Sequence, residues 1–280
     1  MRTLITGANG MLARAAIAYC QSVGDEILAL TREDLDISDR DSISGVFAEW
    51  KPNIVLNCAA YTNVDGAETN VDLSLQANAV GPENLAVVSR EFGAKLVTVS
   101  TDYVFDGEKG EPYVDTDLPN PLGVYAASKY EGEKRVAAIN PDAIVVRSGW
   151  IYGDGGTNFL SVMPNLLADG KQISVISDNF GTPTSAKDLA ARMREIAATD
   201  IRGVIHITNS GDGTSNLGYG QKVCEFGGFD ADLVRGVRCA ELQRPAPRPM
   251  DSRLRSTDLS QFGLAPLKDW ESALKEFVTG

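Results

Sequence analysis

The sequence predicts an α/β protein built on a doubly wound parallel sheet, with a smaller C-terminal portion. Up to residue 150, apolar runs of strand length alternate with helical patterns, which is typical of a parallel sheet. The first of these runs leads through a glycine turn into a helix. Beyond residue 150 the alternation loosens. We therefore expect residues 1–150 to form one domain and 151–280 a second portion, with parts of 183–210 and 240–258 returning to the first.

The composition restricts the classes of function. Apolar residues make up 43% of the 280 residues, which indicates a packed core, and the net charge of −12 argues against nucleic acid as a partner. The four cysteines form no CxxC pair and the single histidine lies in an apolar run, so we expect neither a metal site nor a Ser-His-Asp triad. No apolar run approaches ~18 residues and no signal peptide is visible, so we expect no membrane association and a cytoplasmic location.

The first strand, Leu4-Ile5-Thr6, runs into Gly7-Ala8-Asn9-Gly10 and then into a helical pattern from Met11 to Tyr19. Glycines let the backbone approach a pyrophosphate, and the start of the helix offers free N–H groups to it. The spacing G-x-x-G-x-x-A, which ends at Ala13, differs from the G-x-G-x-x-G of classical dehydrogenases. An ordinary tight turn is the alternative, but the position between strand and helix favours a Rossmann-type, dinucleotide-binding domain.

The second strand, 26–30, runs into Thr31-Arg32. An acidic residue at this place holds the ribose 2′-hydroxyl of NAD, whereas an arginine suits a 2′-phosphate. We therefore expect NADPH, with NADH as the alternative, although a solvated surface arginine would explain Arg32 equally well. Asp36 either contacts the adenine or caps the helix that starts near Asp39.

The third and fourth strands also end in candidate ligand contacts. The third, 54–56, is followed by small residues, Ala59 and Ala60, that leave room for a cofactor; a long helix over 68–92 comes next. The fourth, 96–99, ends at Ser100-Thr101-Asp102. Ligands of open α/β sheets bind at this carboxyl edge.

Tyr125 and Lys129 lie four residues apart in a predicted helix and therefore share one face. A free phenol has a pKa of about 10, and a neighbouring ammonium is expected to lower it. Such a pair would suit general acid catalysis of carbonyl reduction. The spacing alone occurs by chance on many helices, so its meaning depends on the surrounding site.

The remainder of the chain is less regular. After a strand over 143–147 we expect helices at 159–167, 185–198 and 268–278 and strands at 173–176 and 203–207. The glycine-rich segment 211–220 is interpreted as a loop or hinge, and 244–255 as largely irregular.

Together, the glycine turn, Thr101, Tyr125 and Lys129 resemble the extended short-chain dehydrogenase/reductase superfamily. Several segments are similar to one family within it, the dTDP-4-dehydrorhamnose reductases. The similar segments are 57–68, 100–107, 125–133, 147–153, 180–184 and 248–254.

The resemblance implies that Tyr125 is the acid/base, that Lys129 lowers its pKa and binds the nicotinamide ribose, and that Thr101 hydrogen-bonds the substrate carbonyl. The implied cofactor contacts are Gly7, Asn9, Gly10, Met11, Leu12, Arg32, Asp36, Ile37, Ala59, Ala60, Tyr61, Asn78, Tyr125 and Lys129. The implied substrate contacts are Val64, Thr101, Tyr103, Phe105, Trp150 and Arg248. The implied reaction is NADPH-dependent reduction of a nucleotide-linked 4-keto-6-deoxy sugar, foremost dTDP-4-dehydro-L-rhamnose, by a monomer or homodimer.

Departures from the family pattern leave alternatives open. Asn216 stands where the family carries Trp, and Ala15 where some relatives carry a Glu that is proposed to bind magnesium, so no metal is expected. A reductase that forms another stereoisomer, a sugar-nucleotide epimerase and a non-catalytic NADP-binding subunit remain as rivals. A 4,6-dehydratase is disfavoured because Tyr103 replaces the second carboxylate that would follow Asp102.

Overall fold

The computed structural model describes residues 1–280, with a six-stranded, fully parallel sheet at its centre. The strands are β1 (Arg2–Thr6), β2 (Glu26–Leu30), β3 (Ile54–Asn57), β4 (Lys95–Thr101), β5 (Ile144–Ser148), β6 (Ile151–Tyr152), β7 (Ile173–Ile176), β8 (Phe180–Gly181), β9 (Thr184–Ser185), β10 (Gly203–His206), β11 (Thr214–Ser215) and β12 (Val234–Val237). The central sheet has the order β10-β5-β4-β3-β1-β2. All residues of β3 and β5 are buried, which explains why both strands are nearly continuous apolar runs. The predicted fold class is confirmed.

Helices cover both faces of this sheet. The α-helices of the chain are α1 (Met11–Ser22), α2 (Arg40–Trp50), α3 (Val64–Ala67), α4 (Val71–Leu75), α5 (Gly81–Phe92), α6 (Val124–Ile139), α7 (Phe159–Ala168), α8 (Ala186–Ile196), α9 (Asn216–Gly227) and α10 (Trp270–Thr279). One apolar cluster joins α1 and α8 to the sheet, and a second joins α2, α5 and α6 to its other face. No helix combines the length and the apolar character that a membrane span requires.

The helix predicted over 68–92 is interrupted. A π-helical turn, Gln76–Val80, separates α4 from α5, and α3 lies before them. Helix α6 packs tightly here, since a Cβ on Gly132 would lie 2.1 Å from the carbonyl oxygen of Asn78. π-turns inside helices are often found at functional sites.

The loop or hinge predicted over 211–220 ends at residue 215, and the prediction is wrong for its second half. Ser215 caps α9 by accepting a hydrogen bond from the Gly218 N–H at 3.0 Å. Glycines at 218 and 220 lie within this helix because larger side chains would not fit. A Cβ on Gly218 would lie 2.3 Å from Thr214 Oγ1, and one on Gly220 would lie 2.9 Å from Val234 Cγ1.

A third apolar cluster is formed entirely by residues from Tyr152 onward, in α7, β7, α9 and α10. In contrast, α8 packs against α1, and β10 pairs with β5 in the central sheet. Leu254 packs with Val104 and Phe105 next to β4. These contacts support, as a proposal, the division into residues 1–150 and 151–280 with 183–210 and 240–258 returning to the first domain.

Candidate active site

A cavity of about 900 Å³ opens at the carboxyl edge of the central sheet. One side is formed by the glycine turn and by the residues that follow β2, β3 and β4. The other side comes from the C-terminal portion, including β7 and the start of α9. Ligand pockets typically measure ~300–1,000 Å³, so this cavity has room for a large ligand or for two ligands together.

The glycine turn approaches the neighbouring strand closely. Gly7 has a φ of 70°, and a Cβ there would lie 2.8 Å from Ala59 Cα. Only glycine fits both the backbone conformation and the space. The side of the cavity next to this turn is lined by Gly7, Asn9, Gly10, Met11 and Leu12, all of which were expected to contact a cofactor. The turn thus presents the start of α1 to the cavity, as anion binding requires.

Arg32, Asp36 and Ile37 line the cavity beyond the end of β2. Arg32 Nη2 lies 3.6 Å from Asp36 Oδ2 in an exposed ion pair, and the Arg32 side chain is 69% exposed, so the guanidinium is accessible to an anion. Asp36 accepts hydrogen bonds from the Ser38 N–H and hydroxyl, which lower its pKa. Asp39, not Asp36, caps α2.

Two residues expected to touch ligands do not line the cavity. Asn78 is 1% exposed, accepts a hydrogen bond from the Tyr61 N–H at 2.8 Å and donates to Tyr61 O at 3.0 Å. Its side chain therefore holds the cavity-lining loop Ala59-Ala60-Tyr61 in place. Phe105 is fully buried and stacked on Tyr113, with ring centroids 4.1 Å apart. It belongs to an apolar cluster beneath the site.

Thr101, Tyr125 and Lys129 all line the same cavity. Thr101 ends β4, and Tyr125 lies in the first turn of α6 with its ring edge-on to Tyr103 at 6.1 Å. Lys129 is 4% exposed and donates a hydrogen bond to Val99 O at 2.6 Å, which fixes its position.

The electrostatics of this group differ from the prediction. Burial raises the pKa of Tyr125 above its ordinary value, and a hydrogen-bonding interaction with Thr101 offsets only part of that rise. Burial also lowers the pKa of Lys129 to about 8. The predicted lowering of the Tyr125 pKa by Lys129 is therefore not what this chain produces. Tyr125 is a protonated phenol at neutral pH and can give a proton.

Asp102, for which the sequence pattern indicated no role, lines the cavity beside Thr101. It is 3% exposed, and burial raises its pKa to about 6 despite a hydrogen bond from Ser252. Gly149 makes room for it, because a Cβ there would lie 2.5 Å from Asp102 Cγ. Its place directly after Thr101 was the only available sequence signal.

The predicted substrate side contains Val64, Tyr103, Trp150 and Arg248, all of which line the cavity. The Arg248 guanidinium is held by Asp65 through two hydrogen bonds of 2.9 and 2.8 Å. A contact of Arg248 with a substrate phosphate would therefore have to compete with Asp65.

Arg244, which the sequence reasoning did not single out, lines the cavity too and is exposed. Unlike Arg248, it has no ion pair with another side chain. Asn216 donates a hydrogen bond to Asn179 at 2.7 Å, and both amides line the cavity. Asn179 was also missed. Its only sequence signal was its position near a predicted strand end.

Comparisons with known proteins agree with this geometry. The family model described as RmlD substrate binding domain matches residues 1–280. A dTDP-4-dehydrorhamnose reductase of Mycobacterium tuberculosis (strain CDC 1551 / Oshkosh) is 42% identical over 279 residues, which cover 98% of this chain and 91% of that protein. A dTDP-4-keto-6-deoxy-D-glucose reductase of Streptomyces niveus is 34% identical over 276 residues, covering 98% of this chain and 96% of the relative.

Among solved structures, a dTDP-4-dehydrorhamnose reductase from Bacillus anthracis str. Ames in complex with NADP superposes with a TM-score of 0.94 at 35% identity. The match covers 99% of this chain and 98% of the other. The family match spans every element that builds the cavity. The chain belongs to the RmlD substrate-binding-domain family, that of the dTDP-4-dehydrorhamnose reductases.

Proposed function

We propose that this chain is an NADPH-dependent reductase of the C4 ketone of a nucleotide-linked 6-deoxy-4-keto sugar, foremost dTDP-4-dehydro-L-rhamnose. The main support for the proposal is that Thr101, Tyr125 and Lys129 line one cavity, which the glycine turn also lines. The names of the relatives from M. tuberculosis and B. anthracis support the substrate and the cofactor.

The residues of the cavity fit a dinucleotide. Gly7 leaves no Cβ between the turn and the neighbouring strand, and the start of α1 offers N–H groups to a pyrophosphate. Arg32 would hold the 2′-phosphate, and Lys129 with Tyr125 would lie at the nicotinamide end. When bound, NADPH supplies the hydride for the sugar C4.

The chain supplies the proton and stabilises the charge that develops on oxygen. The hydroxyls of Thr101 and Tyr125 are the donors for the ketone oxygen, and Tyr125 then transfers its proton to it. The phenolate that results is stabilised by the buried ammonium of Lys129, whose position Val99 O fixes. Donors that are already in place before the reaction usually provide the largest electrostatic contribution to catalysis.

The central test is the rate of NADPH oxidation with a dTDP-linked 4-keto-6-deoxy sugar. We expect Tyr125→Phe to lower kcat by ~10²–10⁴-fold, because the general acid is removed. Tyr130→Phe is the matched control, since Tyr130 lies on the same helix and packs against the apolar cluster of Phe105. Wild-type turnover by Tyr125→Phe would show that another group is the acid.

A second candidate is a reductase that forms a different C4 stereoisomer. The name of the S. niveus relative and the cavity-lining Asn216, which replaces the family's Trp, both favour considering it. Product analysis after incubation with a panel of nucleotide-linked 4-keto sugars, using NADPH and NADH, distinguishes the two. An epimerase would instead retain NAD through purification, and a binding-only subunit would turn over none of the panel.

We further propose that the protein acts in the cytoplasm as a monomer or homodimer. All four cysteines are free thiols, which suits a reducing compartment.

A further inference from the structure

The hydroxyl of Thr101 has one proton and several neighbours. Thr101 Oγ1 lies 3.1 Å from Asp102 Oδ1, and it accepts a hydrogen bond from the Tyr103 N–H at 3.2 Å. A hydroxyl donates one hydrogen bond and accepts two. If its proton points to an ionised Asp102, Thr101 has none to offer to a ketone oxygen.

The surroundings of Asp102 raise the pH at which its carboxyl loses the proton. The side chain is 3% exposed, and it interacts with two hydroxyls and with the backbone N–H groups of Asp102 and Tyr103, with no lysine or arginine among its partners. A buried carboxylate without a cation is costly, so its proton is retained to higher pH than usual. The titratable groups that face it are Tyr103, on the same turn, and Tyr125, on α6, and burial raises the pKa of both. Neither brings a positive charge.

Ser252 fixes the orientation of this carboxyl. Its hydroxyl donates to Asp102 Oδ2 at 2.5 Å, which leaves Oδ1 for Thr101. A proton on Oδ1 would be donated to Thr101 Oγ1. Together with the Tyr103 N–H, it would occupy both acceptor positions of that oxygen, so the Thr101 proton would have to point into the cavity, on the side of Tyr125 and of a bound ketone.

We propose that Asp102 is a positioning residue: in its protonated form, held by Ser252, it donates to Thr101 and thereby directs the Thr101 proton to the substrate ketone. This inference rests on the proposed function. It links a residue beside the fourth strand to a segment 150 positions later in the chain. When Asp102 ionises, the Thr101 proton turns towards it, and Tyr125 remains as the one hydroxyl donor for the ketone.

The pH dependence of kcat provides the test, because a purely structural role would not move it. In the wild type, kcat is expected to fall as the pH rises through the pKa of Asp102, by up to ~10²-fold, since one oxyanion donor is worth ~10²–10³ in kcat. A second decline near pH 8 is expected when Lys129 loses its proton.

Asp102→Asn should abolish the first decline and keep the second. Its amide donates to Thr101 at every pH, as the protonated carboxyl does. Ser252→Ala should shift the first decline to higher pH, because the Ser252 hydroxyl lowers the pKa of Asp102. Asp106→Asn, which changes a carboxylate bound to Tyr113, is the matched control and should leave the profile unchanged.

A double-mutant cycle with Thr101→Val completes the experiment. If Asp102 acts through Thr101, then Asp102→Asn has no effect on the profile in the Thr101→Val background. If the wild type is active and neither Asp102→Asn nor Ser252→Ala changes the pH profile of kcat, this inference is wrong, while the proposed reduction is unaffected. A wild type that reduces no keto sugar would overturn both.

Discussion

Burial dominates the pKa values of both Tyr125 and Lys129: it raises the pKa of the phenol and lowers that of the ammonium. The ammonium is expected to favour a phenolate, yet removal of the phenol from water disfavours the charged form more strongly. For reduction this is favourable, since the phenol must start with its proton. The acidity of Tyr125 matters only when negative charge develops on the ketone oxygen beside it.

Arg32 decides between the two nicotinamide cofactors if it meets the 2′-phosphate. A hydrogen bond to a charged group contributes ~1.5–3 kcal/mol, or roughly 10- to 100-fold in affinity. We therefore expect Arg32→Ala to raise the KM for NADPH by ~10–100-fold and to leave the KM for NADH unchanged. Steady-state kinetics with both cofactors measures this. Equal losses with NADPH and NADH would mean that Arg32 does not recognise the phosphate.

At the level of elements, α6 packs against the π-turn at 76–80, and Asn78 of this turn holds the loop that follows β3. The contact is close at Gly132, where a Cβ would lie 2.1 Å from Asn78 O, and Asn78 in turn holds both backbone groups of Tyr61. The helix that carries Tyr125 and the loop that faces the cofactor are thus positioned by one contact.

Gly132→Ala is expected to lower the free energy of unfolding by at least ~1–3 kcal/mol, because the added methyl overpacks this crossing. Gly45→Ala is the matched control. Gly45 lies within α2, and a Cβ there would have nothing within 4 Å of it, so alanine should add ~0.5–1 kcal/mol. Denaturant unfolding of both variants measures the difference. Comparable stability changes in the two would contradict a tight crossing at Gly132.

The sequence was sufficient for elements whose signals are local. Strands β1 to β5 were predicted to within about two residues because they are apolar runs bounded by turns. The π-turn at 76–80, the start of α9 and strand β12 could not be predicted in this way. Each has a partner elsewhere in the chain: Gly132 for the π-turn, Val234 for Gly220 of α9, and β7 for β12.

The candidate site shows the same contrast between residues with a local sequence signal and residues that depend on remote contacts. The glycine turn, Thr101, Tyr125 and Lys129 follow from the alternation of strands and helices, since that pattern brings strand ends to one edge. Asn78 and Phe105 were assigned to ligands because nothing in the sequence shows that Tyr61 and Tyr113 are their partners. The link between Asp102 and Ser252 spans 150 positions and has no local signal.

For the whole molecule, the cavity lies between separately packed cores. The cluster that contains Leu85 supports the elements near Ile37, and the cluster that contains Leu274 supports β7 and α9. The proposed division into two portions therefore assigns the cofactor side to the two clusters on the central sheet and the sugar-nucleotide side to the third cluster.

Leu85→Ala and Leu274→Ala test this division as a matched pair, because both leucines are fully buried. Each change is expected to lower the free energy of unfolding by ~2–5 kcal/mol. Leu85→Ala should mainly raise the KM for NADPH, and Leu274→Ala the KM for the nucleotide sugar. Kinetics and unfolding measured on the same samples separate the two effects. Identical changes in both KM values would argue against two portions.

Trp150 has a consequence for redesign of substrate range. Its backbone has a φ of 48°, a conformation that costs most residues ~1–2 kcal/mol, and its indole fills the space above Gly181. Glycine at 150 would remove the indole and its packing. It would also relieve the backbone strain, which offsets part of the lost stability. β-Branched residues would lose the packing and keep the strain. A library intended to admit bulkier sugars should therefore favour glycine and asparagine at this position over the aliphatic residues usually chosen to enlarge a pocket.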